Sequence, residues 1–99
     1  MRRFLLVLLG LALLLSAPAL GKRVALILDV GGRGDLSFND MGFKGTEEAI
    51  RDFGWEMTTI QSATAADYLP NIRNAARSHA FDLIICVGFL LADALNQVA

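Results

Sequence analysis

An α/β fold, a parallel sheet with flanking helices, is what this sequence predicts, and three observations predict it. Three short apolar runs, Arg23 to Asp29 (RVALILD), Trp55 to Gln61 (WEMTTIQ) and Phe81 to Val87 (FDLIICV), alternate with segments whose apolar residues recur at helical spacing. The connections are short, so the order β-α-β-α-β-α implies parallel strands with right-handed crossovers. The first and third runs are continuously apolar in their centres, as expected of strands buried on both faces of such a sheet.

Each element has a local cause. Three glycines break the first run at DVGGRG, and Ser37 and Asp40 then have the S-x-x-D spacing of a capping box. Phe38, Met41, Gly42, Gly45, Ala49 and Phe53 follow at helical intervals, which predicts a helix from about Asn39 to Phe53 with Gly54 as its stop. Trp55 to Gln61 combines β-branched and aromatic residues in partial alternation and reads as the second strand. Asp67 is placed to cap the next helix, Pro70 falls in its first turn, and Leu69, Ile72, Ala76 and Ala80 share a face while Arg73 and Arg77 point to water. Gly88 ends the third strand, and Leu90 to Val98 opens a third helix. No internal repeat or linker interrupts this order.

The 99 residues are 55% hydrophobic, and the excess sits before the first strand. Met1 to Gly21 has two arginines, an apolar run from Phe4 to Leu15 broken only by Gly10, and then SAPALG, the layout of a secretory signal peptide with Ala17 and Ala19 as an A-x-A cleavage site. An export leader over residues 1–21 and a domain over 22–99 are therefore expected. Loss of Arg2 and Arg3 takes nine basic residues to seven against ten acidic ones, a net charge of −3, which excludes nucleic acid as a partner. Cys86 stands alone within LIICV as a core thiol, and with His79 also alone there is no metal set and no cofactor is expected. A domain of this size buries only about 60% of its unfolded surface, so a single core is marginal.

In open α/β sheets ligands bind beyond the carboxyl ends of the strands. Two segments sit there, Asp29 to Asn39 and Gly88 to Asp93. Gly31, Gly32 and Gly34 permit positive φ and a close approach of backbone to ligand. One reading of these glycines is a phosphate cradle in a small nucleotide-using protein. GGRGDLSF matches neither common phosphate motif, however, and Asp29 and Asp35 would repel an anion, so a neutral hydrogen-bonding ligand suits the loop better. The tripeptide Arg33-Gly34-Asp35 carries little weight as an adhesion signal. Phe38 is either a staple for the following helix or a ring on which a flat ligand stacks. Asp29, Asn39 and Asp93 can read the edge of a heterocycle or the hydroxyls of a sugar, and each also has a structural role open to it as brace, cap or solvated residue.

VALILDVGGRGDLSFNDMGFKG resembles the opening of the mature basic membrane protein family, the purine nucleoside receptor lipoproteins that serve as solute-binding components of ABC transporters. The family pattern is an apolar strand, D-x-G-x-x-x-D-x-S-F-N, and a helix with W-x-G or F-x-G; Asp29, Gly31, Asp35, Ser37, Phe38, Asn39 and Phe43-Lys44-Gly45 match it. DYLPNIRNAA and FDLIICVGFLLADAL resemble the next helix and the V-G-F-x-x-x-D-A segment. The resemblance implies a type I periplasmic-binding-protein-like fold whose two lobes close on a nucleoside, here represented by part of the N-terminal lobe. It also implies that Phe38 stacks on the base and that Asp29, Asp93 and more weakly Asn39 contact base or ribose. It implies no catalytic residue, an ABC permease as partner, and a membrane reached only through leader or permease.

Two departures shape the expectation. No cysteine follows the small residues of the leader to carry a lipid, so an exported form in the periplasm or cell envelope is expected. Family members are several times longer, so the second lobe and its opposing aromatic wall are absent. A truncated remnant without binding function is the third reading.

Overall fold

The computed structural model describes residues 21–99, so the expected leader, apart from Gly21, lies outside the described residues. Three parallel strands form the sheet: β1 (Arg23–Ile27), β2 (Glu56–Ile60) and β3 (Leu83–Cys86), in the order β2-β1-β3. Arg23 pairs with Glu56 and Ile27 with Ile60 on one side, and Val24 pairs with Leu83 and Ile27 with Cys86 on the other. Each ladder continues for one more bond, from Leu28 N–H to the Ile60 carbonyl and from Val87 N–H to the Ile27 carbonyl, both 2.9 Å.

The central position of β1 explains its composition. Val24 through Leu28 are at most 1% exposed, as a strand covered on both faces and both edges requires. Side chains alternate between faces, and Ile27 enters one core with Tyr68, Ile72, Ala75, Leu91 and Ala94. β3 departs from expectation: it is an edge strand in this chain, with Leu83 46% exposed and Ile84 to Cys86 only half-buried.

Three helices complete the layers: α1 (Phe38–Phe53), α2 (Tyr68–Arg77) and α3 (Ala92–Val98). Short 3₁₀ turns at Ala65–Asp67 and Phe89–Leu91 lead into α2 and α3. The core around Ile27 lies under α2 and α3, so α1 covers the opposite face. Gly42 makes that docking close: a Cβ there would stand 2.8 Å from Val87 Cγ2. α1 ends as expected at Gly54, whose φ of 68° lets its N–H return to the Ile50 carbonyl.

Two sequence expectations about faces need correction. The packed side of α1 runs through Asn39, Gly42, Thr46 and Ala49, whereas Phe38, Met41 and Phe53 are exposed. The large apolar residues recur at helical spacing, but the 2.8 Å Gly42–Val87 approach requires small residues on the packed side. In α2 the buried residues are Tyr68, Ile72 and Ala75, with Ala76 exposed. Asp67 makes no side-chain cap on α2; its Oδ2 accepts from Ala63 N and Thr64 N, both 2.9 Å, and so shapes the turn before it.

At the amino edge of the sheet, Arg23 N donates to Asp82 Oδ2 and Asp82 N to the Arg23 carbonyl, both 2.8 Å. At the carboxyl edge, the chain leaves β1 toward one face and enters α3 from β3 on the other. That divergence between neighbouring strands is a topological switch point and opens a crevice there. No helix among the described residues is long and apolar enough to cross a membrane.

Candidate functional site

The loop from Asp29 to Asp40 is held by its own carboxylates. Asn39, 1% exposed, donates from Nδ2 to Asp29 Oδ1 at 2.7 Å and to Asp35 Oδ2 at 2.9 Å, while its Oδ1 accepts from Asp29 N at 3.2 Å. Both N–H groups of that amide are thereby used, and one of the two lone pairs of its oxygen. Asn39, expected as a ligand contact, is buried and fixes Asp29 to the start of α1.

The capping group of α1 is Asp35 instead of the predicted Ser37, whose side chain makes no cap bond. Asp35 accepts from Ser37 N, Asn39 N and Asp40 N at 2.9 to 3.0 Å in addition to the Asn39 amide. Partial desolvation raises its pKa, but the backbone donors from Ser37, Asn39 and Asp40 and the Asn39 amide outweigh it and hold the carboxyl at about 2. Asp40 reaches back to Gly34 N at 2.7 Å and Leu36 N at 3.0 Å, and those two donors lower its pKa as well. Arg33 closes the loop from outside, its Nε 3.5 Å from Asp40 and its guanidinium 3.4 Å from the centre of the Phe43 ring.

The predicted loop glycines serve this network. Gly31 N donates to Asp29 Oδ1 at 2.8 Å, and Gly32, at φ 58°, donates to the Asp29 carbonyl at 3.1 Å. Gly34, at φ 95°, presents its N–H to Asp40. Val30 N goes to the Tyr68 hydroxyl and Arg33 N to Gln61 Oε1. A phosphate cradle requires free, convergent N–H groups. Here those of Gly31, Gly32, Arg33, Gly34, Leu36 and Ser37 are each taken by an oxygen of the chain itself, so the phosphate reading loses its physical basis.

Asp29 stands at the crevice between β1 and β3. Its Oδ1 is held by Gly31 and Asn39, whereas Oδ2 accepts no hydrogen bond among the described residues and faces Gly88. A Cβ on Gly88 would sit 2.8 Å from that oxygen, and its φ is 100°, so two separate constraints require glycine there. The loops after β1 and β3 are thus in direct contact.

Phe38, at the first turn of α1, is 63% exposed and packs as no staple. Phe89, in the turn after Gly88, is 78% exposed; it belongs to the V-G-F segment but is not among the residues that the sequence pointed to. Both rings extend from the carboxyl edge, one from each loop. Asp93 lies exposed in the first turn of α3 and makes no hydrogen bond with another described residue. Hydrogen bonds join Asp29 to Asn39 and to Gly31 and Gly32, whereas Phe38 and Asp93 stand in the first turns of α1 and α3 with no side-chain hydrogen bond to that network. Tyr68 and Gln61 were not selected either; both brace the loop from distant sequence positions, a relationship that spacing does not encode. Chemically the edge offers two carboxylates with free acceptor oxygens, Asp29 and Asp93, two accessible aromatic rings and no free cradle for an anion.

Comparison with known proteins adds an independent finding. Residues 22–99 match the Bmp family, described as ABC transporter substrate-binding protein PnrA-like. The chain belongs to this family. Similar proteins include an uncharacterized lipoprotein of Pyrococcus abyssi, 44% identical over 77 residues, which span 78% of this chain and 19% of the relative. A CD4+ T-cell-stimulating antigen of Listeria monocytogenes is 37% identical over 81 residues, 77% of this chain and 22% of the relative. A crystal structure of ABC transporter system solute-binding proteins from Aeropyrum pernix K1 aligns with a TM-score of 0.74 at 40% identity, covering 79% of this chain and 21% of that one. The Bmp-family chain therefore spans about a fifth of the length of the relatives it matches.

Proposed function

We propose that this chain supplies one wall of a nucleoside-binding cleft in the exported solute receptor of an ABC importer. The observation that carries the proposal is the carboxyl edge itself: an exposed Phe38 ring stands beside a carboxylate network that leaves a single acceptor, Asp29 Oδ2, free at the switch point. A base stacks on the ring and donates from its edge to Asp29, and Asp93 is available to the ribose hydroxyls. A neutral ligand fits because the loop presents carboxylates where a phosphate would need N–H groups. One wall encloses too little of a ligand, since pockets bury about 70 to 90% of theirs. The remaining contacts come from the rest of the receptor. Its role is binding and delivery to a membrane permease and ATPase, without catalysis. The relatives named as lipoproteins and the apolar leader support a working position outside the cytoplasm, at the membrane surface.

The test is calorimetric titration of the native polypeptide that carries this segment, taken from the exported fraction, with nucleosides and the matching 5′-monophosphates. Nucleosides are expected to bind and the monophosphates to bind at least about tenfold more weakly, a difference of about 1.4 kcal/mol. Tighter binding of the monophosphates contradicts the proposal.

A further inference from the structure

Tyr68, the first residue of α2, approaches the carboxyl edge from the face of the sheet opposite α1. Its ring is 6% exposed, in the core with Ile27, Ile72, Ala75, Leu91 and Ala94, and its hydroxyl accepts from Val30 N at 3.2 Å. A phenylalanine would fill the same core volume, so the hydroxyl needs an account of its own.

The partner it takes belongs to the peptide unit that follows Asp29. That unit is planar, so the Asp29 carbonyl and the Val30 N–H turn together. The carbonyl accepts from Gly32 N at 3.1 Å, and the N–H is held at the other end by Tyr68. The side chain and N–H of Asp29 are held from its own loop and from α1: Asn39 accepts from Asp29 N, and Asn39 and Gly31 both donate to Oδ1. Tyr68 thus ties Asp29 to the core on the opposite face. The loop after β3 rests on that same core. Leu91, fully buried there, donates from N to the Gly88 carbonyl at 3.2 Å, and Gly88 faces Asp29 Oδ2 so closely that a Cβ would stand 2.8 Å away. Ala94, next to Asp93, joins the core from α3. One side chain therefore meets the loop after β1 through its hydroxyl and shares a core with the support of the loop after β3 through its ring. Gln61, the other brace, is exposed and bonds further along the loop, at Arg33 N.

We infer that Tyr68 is a positioning residue of the cleft: its hydroxyl sets the stance of Asp29 against Gly88, and with it the spacing of the segments that bear Phe38 and Phe89. Tyr68 acts through Asp29 and not by touching the ligand. The tie itself is independent of any ligand, and its effect on affinity rests on the nucleoside reading proposed above. Loss of the hydroxyl leaves the Val30 N–H to water and frees the peptide unit to turn, which changes the direction in which Asp29 presents Oδ2.

The test compares Tyr68→Phe with Ile72→Val in the native receptor, by amide hydrogen exchange without ligand and by calorimetric titration with adenosine, guanosine and uridine. Ile72 belongs to the same core, and its shortening lowers stability while leaving the Tyr68–Val30 bond in place. In Tyr68→Phe, exchange over residues 30–34 is expected to quicken about tenfold and affinity for the tightest-bound nucleoside to fall about fivefold, whereas in Ile72→Val both stay within about twofold of the parent. Unchanged exchange over residues 30–34 in Tyr68→Phe overturns the tie, whatever the affinity. Faster exchange with parental affinity overturns the positioning role while the nucleoside reading stands. Equal losses in the two variants reduce Tyr68 to a core residue and overturn the inference as well. A parent that binds none of the three nucleosides overturns the nucleoside reading instead, and the exchange rates then decide the tie alone.

Discussion

Asn39 Nδ2 lies 2.7 Å from Asp29 Oδ1 and 2.9 Å from Asp35 Oδ2, so one buried amide fastens the end of β1 to the cap of α1. The residue that presents an acceptor to the crevice and the residue that starts the helix bearing Phe38 are thereby positioned together.

Replacement of that amide is expected to be costly. Asn39→Ala leaves Asp29 N–H without its acceptor and takes one of two donors from each of two carboxylate oxygens, and urea unfolding should show a loss of about 1 to 3 kcal/mol. Asn39→Asp should be at least as destabilising at neutral pH, because it sets a third carboxylate between two others. Its deficit should shrink as the pH is lowered and the added group protonates.

Asp35 predicts an acid limb in stability. Its folded pKa of about 2 lies below the ordinary value of 3.8, so the unfolded chain binds more protons between these values. Its stabilising contribution is therefore fully present above about pH 4 and lost as pH falls toward 2. Unfolding free energy measured against pH should decline across that window, and Asp35→Asn should flatten the decline. Asp40, lowered by its bonds to Gly34 and Leu36, adds in the same direction and should leave a residual slope in the variant.

Gly88 and Gly34 separate strain from contact. Both have positive φ, 100° and 95°, so alanine at either is expected to lower stability by about 1 to 2 kcal/mol. Only at Gly88 would the new methyl meet Asp29 Oδ2; nothing lies within 4 Å of a Cβ at Gly34. Gly88→Ala should weaken nucleoside binding as well as stability, whereas Gly34→Ala should change stability alone. Chemical denaturation and calorimetry on the two variants make the comparison.

If the proposed cleft is correct, the exposed Phe89 adds a second ring to its wall. It is so exposed that Phe89→Ala should alter stability by no more than about 0.5 kcal/mol. Loss of a stacking face should nevertheless reduce nucleoside affinity by about 1 to 3 kcal/mol.

Much of the fold was legible because its signals are local. The apolar run of β1, the glycine stop at Gly54 and the placement of Pro70 in the first turn of α2 are each set by neighbouring residues. The correct face of α1 was not legible: Phe38, Met41 and Phe53 satisfy helical periodicity, and only the close approach of Gly42 to Val87 turns them outward. The half-exposure of β3 was likewise hidden, since LIIC reads the same at an edge as in the middle of a sheet. In the candidate site, the positions of Asp29 and Phe38 at the carboxyl edge could be read from the motif. The division of labour among Asp29, Asp35 and Asn39 depends on which oxygen faces which donor, and that exists only in three dimensions.

The most direct measurement is nucleoside affinity of the native receptor carrying Phe38→Ala, read by calorimetry beside its unfolding curve. Because Phe38 is largely solvent-exposed, the unfolding curve should stay within about 0.5 kcal/mol of the parent while affinity falls about fivefold or more. Unchanged affinity in a folded variant contradicts the assignment of this edge as the wall on which the base stacks.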